Sequence, residues 1–166
     1  VHFAPDPATG SRATIGGMIG NNTCGTRSIL YGKSIDHVLE CRVLLSDGTI
    51  CDFKPRQPAF WQDEHHEEVG LQREADLLRR LESLVARHRE EIIQRYPKVL
   101  RRVSGYNLDE FVDGAGYTGS IGPRREHNQG HRSWNLSNLI IGSEGTLGIL
   151  LDAKIRLTPN PKATAL

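Results

Sequence analysis

Val38-Leu39-Glu40-Cys41-Arg42-Val43-Leu44-Leu45 runs into Ser46-Asp47-Gly48-Thr49, and Ile50-Cys51-Asp52-Phe53 follows. The first stretch carries β-branched and aliphatic side chains over the length of a strand. Asp-Gly is a tight-turn signal, because glycine accepts the positive φ that a chain reversal needs. The last stretch alternates apolar and polar residues, as a strand with one buried face does. Together they predict a β-hairpin over 38–53.

Downstream the period changes. Between Gly70 and Tyr96, Leu71, Ala75, Leu78, Leu81, Val85 and Ile92 recur at steps of three, four and their sums. That is one stripe of an amphipathic helix, with the intervening charges on its solvated face. Pro97 ends it. Asn107-Leu108-Asp109-Glu110-Phe111 reads as a short capped helical turn. Residues 147–157 read as a further strand, alternating in its second half. Residues 114–133, rich in Gly, Arg and His, show no period. Strands and helices without a βαβ rhythm predict an α+β fold, a mostly antiparallel sheet flanked by helices.

The 166 residues are 37% hydrophobic and 25% charged, enough apolar material for one buried core. Lys and Arg number 21 against 20 Asp and Glu, a net charge of +1. That excludes the strongly basic footprint of a dedicated nucleic-acid binder. No apolar run approaches the roughly 20 residues of a membrane-spanning helix, and no signal-peptide layout opens the chain. The chain starts at Val1 and stops just after Pro159-Asn160-Pro161, so it reads as a fragment of a longer protein. Cys24, Cys41 and Cys51 contain no CxxC pair and read as reduced, packed thiols. A Cys41–Cys51 bridge across the hairpin is considered and set aside. No His or Cys spacing suits zinc.

Two glycine-rich stretches are the candidates for chemistry. Thr14-Ile15-Gly16-Gly17-Met18-Ile19-Gly20-Asn21-Asn22-Thr23-Cys24-Gly25 has four glycines in ten residues. Glycine lets a backbone approach a ligand closely. Free amides at a helix start can hold an anion. The segment matches neither the P-loop nor the GxGxxG pattern. Two readings stay open, a tightly packed glycine-rich helix and a phosphate or cofactor cradle. Gly142-Ser143-Glu144-Gly145-Thr146-Leu147-Gly148-Ile149 is the second stretch. It reads either as a turn with a helix C-cap at Gly142 or as a loop lying against a flat ligand.

Taken in order, PDPATGS, ATIGGMIGNNTCGTRSILYG, VLLSDGTI and GSEGTLGIL with a following IRLTPNP resemble the FAD-binding domain of the vanillyl-alcohol oxidase/p-cresol methylhydroxylase (PCMH-type) flavoproteins. Within that family the resemblance is to the FAD-linked D-2-hydroxyacid dehydrogenases, among them D-lactate dehydrogenase, glycolate oxidase and D-2-hydroxyglutarate dehydrogenase. It implies that residues 1–166 are the C-terminal part of an FAD-binding domain, its second subdomain. Residues 62–113 would be a helical insertion and 114–133 an irregular one. It implies that Pro5, Asp6, Pro7, Ala8, Thr9, Gly10 and Ser11 line the flavin. Thr14, Gly16, Gly17, Asn21, Asn22, Thr23 and Gly25 would bind the flavin and its pyrophosphate. Tyr31 and Gly32 match the YG of the family pattern. Gly142, Ser143, Glu144, Gly145, Thr146, Gly148 and Ile149 would form a loop closing over the cofactor.

The same resemblance implies oxidation of a small-molecule D-2-hydroxyacid to the 2-oxoacid, with hydride transfer to non-covalent FAD. An N-terminal FAD subdomain and a C-terminal substrate domain would lie outside this chain. RYPKVLRRVSGYNLDEF resembles the large members that append an iron–sulfur domain, so a cluster elsewhere in the parent protein is implied as an option. The chain is expected in the cytoplasm, with peripheral membrane contact only through an electron acceptor. The alternatives are a non-catalytic packing module, or a flavoenzyme of the same superfamily acting on an alcohol or ether-lipid precursor.

The remaining reactive residues have plainer readings. His65 and His66 read as solvated, since adjacent helical positions share no face. Arg124, Arg125, His127, His131 and Arg132 read as an insertion, the alternative being a neighbour of a substrate carboxylate. Arg101 and Arg102 suit either a carboxylate clamp or an ion pair. Glu144 reads as structural, holding its loop through side-chain hydrogen bonds. Trp61 and Trp134 read as packing residues.

Overall fold

The computed structural model describes residues 1–112 and 133–160. The expected hairpin is present as β1 (Val38–Leu44) and β2 (Ile50–Phe53), paired antiparallel. Its turn is built as the sequence requires. Leu45 N–H donates to the Thr49 carbonyl at 2.9 Å, and Gly48 takes φ +85°. Asp47 Oδ1 accepts the Thr49 N–H at 2.9 Å, and that bond holds the Asp47 carboxyl below its usual pKa.

A third strand, β3 (Ile149–Ile155), pairs antiparallel with β1, giving the order β2-β1-β3. It is shorter than the stretch expected from sequence. The backbone of 142–148 is used for loop contacts, and beyond the strand Thr158 bridges to His2 instead. The polar face of the sheet carries cross-strand pairs, Arg42–Asp52 and Lys154–Glu40. Cys41, Val43, Cys51 and Phe53 form the opposite, buried face.

That face is covered by the long helix. In chain order the helices are α1 (Ile15–Gly20), α2 (Ser28–Tyr31), α3 (Pro58–Gln62), α4 (Val69–Arg95) and α5 (Ser137–Ile140). Ala75, Leu78, Leu81, Val85 and Ile92 of the expected stripe are buried, and Leu71 is half-buried. Gly70 is where α4 meets the sheet. A Cβ there would stand 2.6 Å from the Ile50 carbonyl oxygen, which only glycine tolerates. Trp61 stacks on Trp134 with ring centroids 5.5 Å apart, a packing role as expected.

Several details differ from the sequence reading. The stripe also buries Glu74, which sits at 1% exposure against Arg56 Nη2 at 2.6 Å. His66 is not a solvated residue. Its ring packs against Phe60, and Nε2 lies 2.9 Å from the Phe60 carbonyl oxygen. Asn107 does not cap the 3₁₀ turn Leu108–Phe111 with its side chain, which is spent elsewhere. Cys41 and Cys51 form no disulfide and lie on the buried face, opposite Phe53 and Val43 rather than each other. Burial pushes the Cys51 thiol up to about 11, so it stays protonated and packs as an apolar group. Arg124, Arg125, His127, His131 and Arg132 lie outside the described residues.

Candidate functional site

The two glycine-rich stretches meet. Helix α1 is short and capped by Thr14, whose Oγ1 accepts the Gly17 N–H at 3.1 Å. Met18 and Ile19 are its buried side. At its end Asn22 turns the chain at φ +49°, and its buried Oδ1 accepts the Ile35 N–H at 3.0 Å. Ser34 Oγ adds bonds to the Met18 and Thr23 carbonyls. These contacts fasten α1 to the chain just before β1.

Helix α5 brings in the other stretch. Ser137 Oγ donates to the Phe53 carbonyl and Asn135 Nδ2 to that of Leu39, so α5 is stitched to the sheet. Gly142 then follows at φ +84°, the C-cap reversal that the sequence allowed. Its N–H donates to the Ile19 carbonyl at 3.0 Å, and the Glu144 N–H to that of Gly20 at 3.0 Å. The loop thus satisfies the Gly20 carbonyl at the end of α1 and adds a second donor to that of Ile19, which also accepts the Asn22 N–H. Glu144 is anchored by its backbone, not by the side-chain bonds expected of it.

Between them lies a cleft of about 460 Å³. One wall is Gly16, Gly17, Gly20 and Asn21, and the other is Ser143, Glu144, Gly145 and Gly148. Ile19, Ile140, Ile149 and Leu150 give it apolar surface. Among the lining residues Glu144 carries the sole charge, so a bare phosphate group meets no countercharge there. A flat, largely uncharged ring system with polar edges suits this surface.

The glycines divide by what stands opposite them. A Cβ on Gly25 would lie 1.9 Å from the Asp6 carbonyl oxygen, and one on Gly148 2.7 Å from Val43 Cγ1. Those glycines serve packing within the fold. A Cβ on Gly16 would meet nothing within 4 Å, although the residue lines the cleft. No contact inside the described structure accounts for a glycine there, so the space fits a bound group.

The other expected site residues sit around this centre rather than in it. Pro5 is buried, and Asp6 at φ +36° faces Arg27 across 3.6 Å. Pro7, Ala8, Thr9, Gly10 and Ser11 form an open turn before α1, with Gly10 N–H on the Pro7 carbonyl. Thr23 N–H donates to the Met18 carbonyl. The Tyr31 carbonyl lies 2.7 Å from His37 Nε2, and Gly32 at φ +77° leaves room for the Asp36 carboxylate. Arg102 is an ion-pair residue, with Nη2 at 2.5 and 2.6 Å from the two carboxylate oxygens of Asp109. Thr146 bonds to Tyr106, a residue whose link to the loop nothing in the sequence pattern announced.

Residues 1–54 match the family model of the FAD binding domain. The matched segment holds α1, β1 and β2, and the loop 142–148, outside the match, closes its cleft. D-2-hydroxyglutarate dehydrogenase of Pantoea ananatis is 31% identical over 160 residues, covering 96% of this chain and 14% of that protein. The Escherichia coli enzyme of the same name is 30% identical over 164 residues, covering 99% and 14%. Glycolate oxidase subunit GlcD of Bacillus subtilis is 24% identical over 160 residues, covering 96% and 19%. The chain thus spans about 14% of the length of the dehydrogenases it matches. Among the described residues, no helix is long and apolar enough to cross a membrane.

Proposed function

We propose that this chain is the C-terminal part of the FAD-binding domain of a flavin-dependent oxidoreductase that oxidises a D-2-hydroxyacid to the 2-oxoacid. Residues 62–113 are its helical insertion. The observation that supports this reading most directly is the cleft where α1 and the 142–148 loop meet, with Gly16 left open to it. The similarity to D-2-hydroxyglutarate dehydrogenases points to the substrate class.

In this reading FAD, when bound, accepts the hydride from the carbon bearing the substrate hydroxyl. The chain's own residues bind and orient. Gly16 and Gly17 admit the cofactor against the backbone. Asn21 and Ser143 offer neutral hydrogen bonds at its edge, and Ile19, Ile140 and Leu150 exclude water. The residues before α1, from Pro5 to Ser11, and the Tyr31–Gly32 turn extend the same surface. The group that takes the substrate hydroxyl proton is supplied by another part of the full-length protein.

The test is the visible spectrum of the purified full-length protein. A flavin absorbance is expected, bleached under anaerobic conditions by D-2-hydroxyglutarate and not by its L-enantiomer. Folded protein without flavin refutes the cofactor. Flavin that no D-2-hydroxyacid bleaches refutes the substrate class.

A further inference from the structure

The loop that closes the cleft is braced from behind by residues 102–111. The Tyr106 hydroxyl lies 3.0 Å from Thr146 Oγ1. Thr146 Oγ1 already donates to the Ser143 carbonyl at 2.6 Å, so it accepts from Tyr106. Next to it, buried Asn107 donates through Nδ2 to the carbonyls of Asn138 at 3.0 Å and Ile141 at 2.7 Å. Gly142 follows directly. A Cβ there would sit 3.5 Å from the carbonyl oxygens of both Val103 and Gly105.

The brace is itself held. Tyr96 Oη donates to the Tyr106 carbonyl at 2.9 Å and accepts the Leu108 N–H at 3.3 Å. Lys33 Nζ donates to the Arg102 carbonyl at 3.0 Å, tying the brace to the chain that follows α1. Between its anchors the loop runs through Glu144 at φ +51° and Gly145 at φ +80°. A non-glycine residue in the left-handed region is held there by its surroundings rather than by preference.

We propose that Tyr106 is a positioning residue for the cofactor cleft, acting through Thr146 to hold the 142–148 loop in the shape that receives the flavin. This rests on the flavin reading above. Tyr106 suits the role because it is 43% exposed, so its hydroxyl bonds water equally well once the loop contact is gone. Losing the contact therefore loosens the loop without stranding a buried polar group.

The experiment uses the full-length protein, stripped of flavin and titrated with FAD by fluorescence quenching. Tyr106→Phe is expected to weaken binding about fivefold, the value of one neutral hydrogen bond, and Thr146→Val at least as much, because it also removes the bond to the Ser143 carbonyl. The double variant is expected to be no weaker than Thr146→Val alone, because Thr146→Val has already removed the Tyr106 contact. Thr146→Ser keeps the hydroxyl and is expected to bind as the parent does. Thermal midpoints of the flavin-free proteins should be unchanged. Additive losses, parent-like affinity in Tyr106→Phe, or a loss matched by a fall in the flavin-free midpoint overturns the proposal. A parent protein that takes up no FAD overturns the flavin reading along with it.

Discussion

Gly16→Val separates the cleft's two demands, a stable α1 and room for a ligand. A Cβ at Gly16 meets no atom within 4 Å, so the substitution removes no contact from the fold. Valine is a slightly better helix residue than glycine, by about 0.3 kcal/mol, so the flavin-free protein should hold or gain stability. The bound state is different. A branched side chain on the cleft wall competes with the ligand for the same space, and overpacking of that kind costs about 1–3 kcal/mol. At about 1.4 kcal/mol per decade, FAD binding should weaken roughly 5- to 150-fold. Gly16→Ala should fall between parent and valine variant. The assay is FAD titration of the flavin-free full-length protein, with its thermal midpoint measured alongside. Parent-like affinity in folded Gly16→Val refutes the placement of ligand against α1. A large drop in the midpoint refutes the claim that Gly16 faces open space. Gly17→Val is a poorer probe, because its Cβ would crowd the capping Thr14 Oγ1 at 3.2 Å.

Asp109→Ala should be strongly destabilising, since it leaves the 10%-exposed Arg102 side chain without its partner, a loss of about 3–5 kcal/mol. Hydrogen exchange over residues 96–111 should show the lost protection, and unchanged protection counts against the pair. Gly25→Ala should destabilise by about 1–3 kcal/mol or more, because its Cβ lands on the Asp6 and Pro5 carbonyls. A urea midpoint equal to the parent's refutes that contact. Glu74 makes a pH prediction. Burial, opposed by the Arg56 hydrogen bond, raises its pKa above the ordinary 4.5. The folded state therefore binds this proton more readily than the unfolded state does. Its contribution is best below pH 4.5 and is lost as pH rises through the raised folded value. Glu74→Gln should remove that slope from the urea midpoint measured against pH, and an unaltered slope counts against it.

The hairpin, the long helix and the likeness to FAD-binding domains were readable from the chain alone. Alternation in Ile50-Cys51-Asp52-Phe53 and the Asp47-Gly48 turn are local signals, and the structure keeps their register. The stripe from Ala75 to Ile92 is likewise a one-dimensional pattern, set by the helical period. It did not announce Glu74, because a buried carboxylate is legible only once Arg56 stands beside it. The glycine-rich stretches were visible, but their division was not. Gly16 and Gly25 look alike in sequence, and what separates them is whether empty space or the Asp6 carbonyl lies opposite. Asn107 looked like a cap and instead holds α5, because its side chain found two carbonyls from a distant segment. Short-range order follows from propensity and period, which each residue carries with it. The cleft depends on the Gly142–Ile19 and Glu144–Gly20 bonds between distant parts of the chain, so only the tertiary structure decided which backbone faces a ligand and which faces the protein.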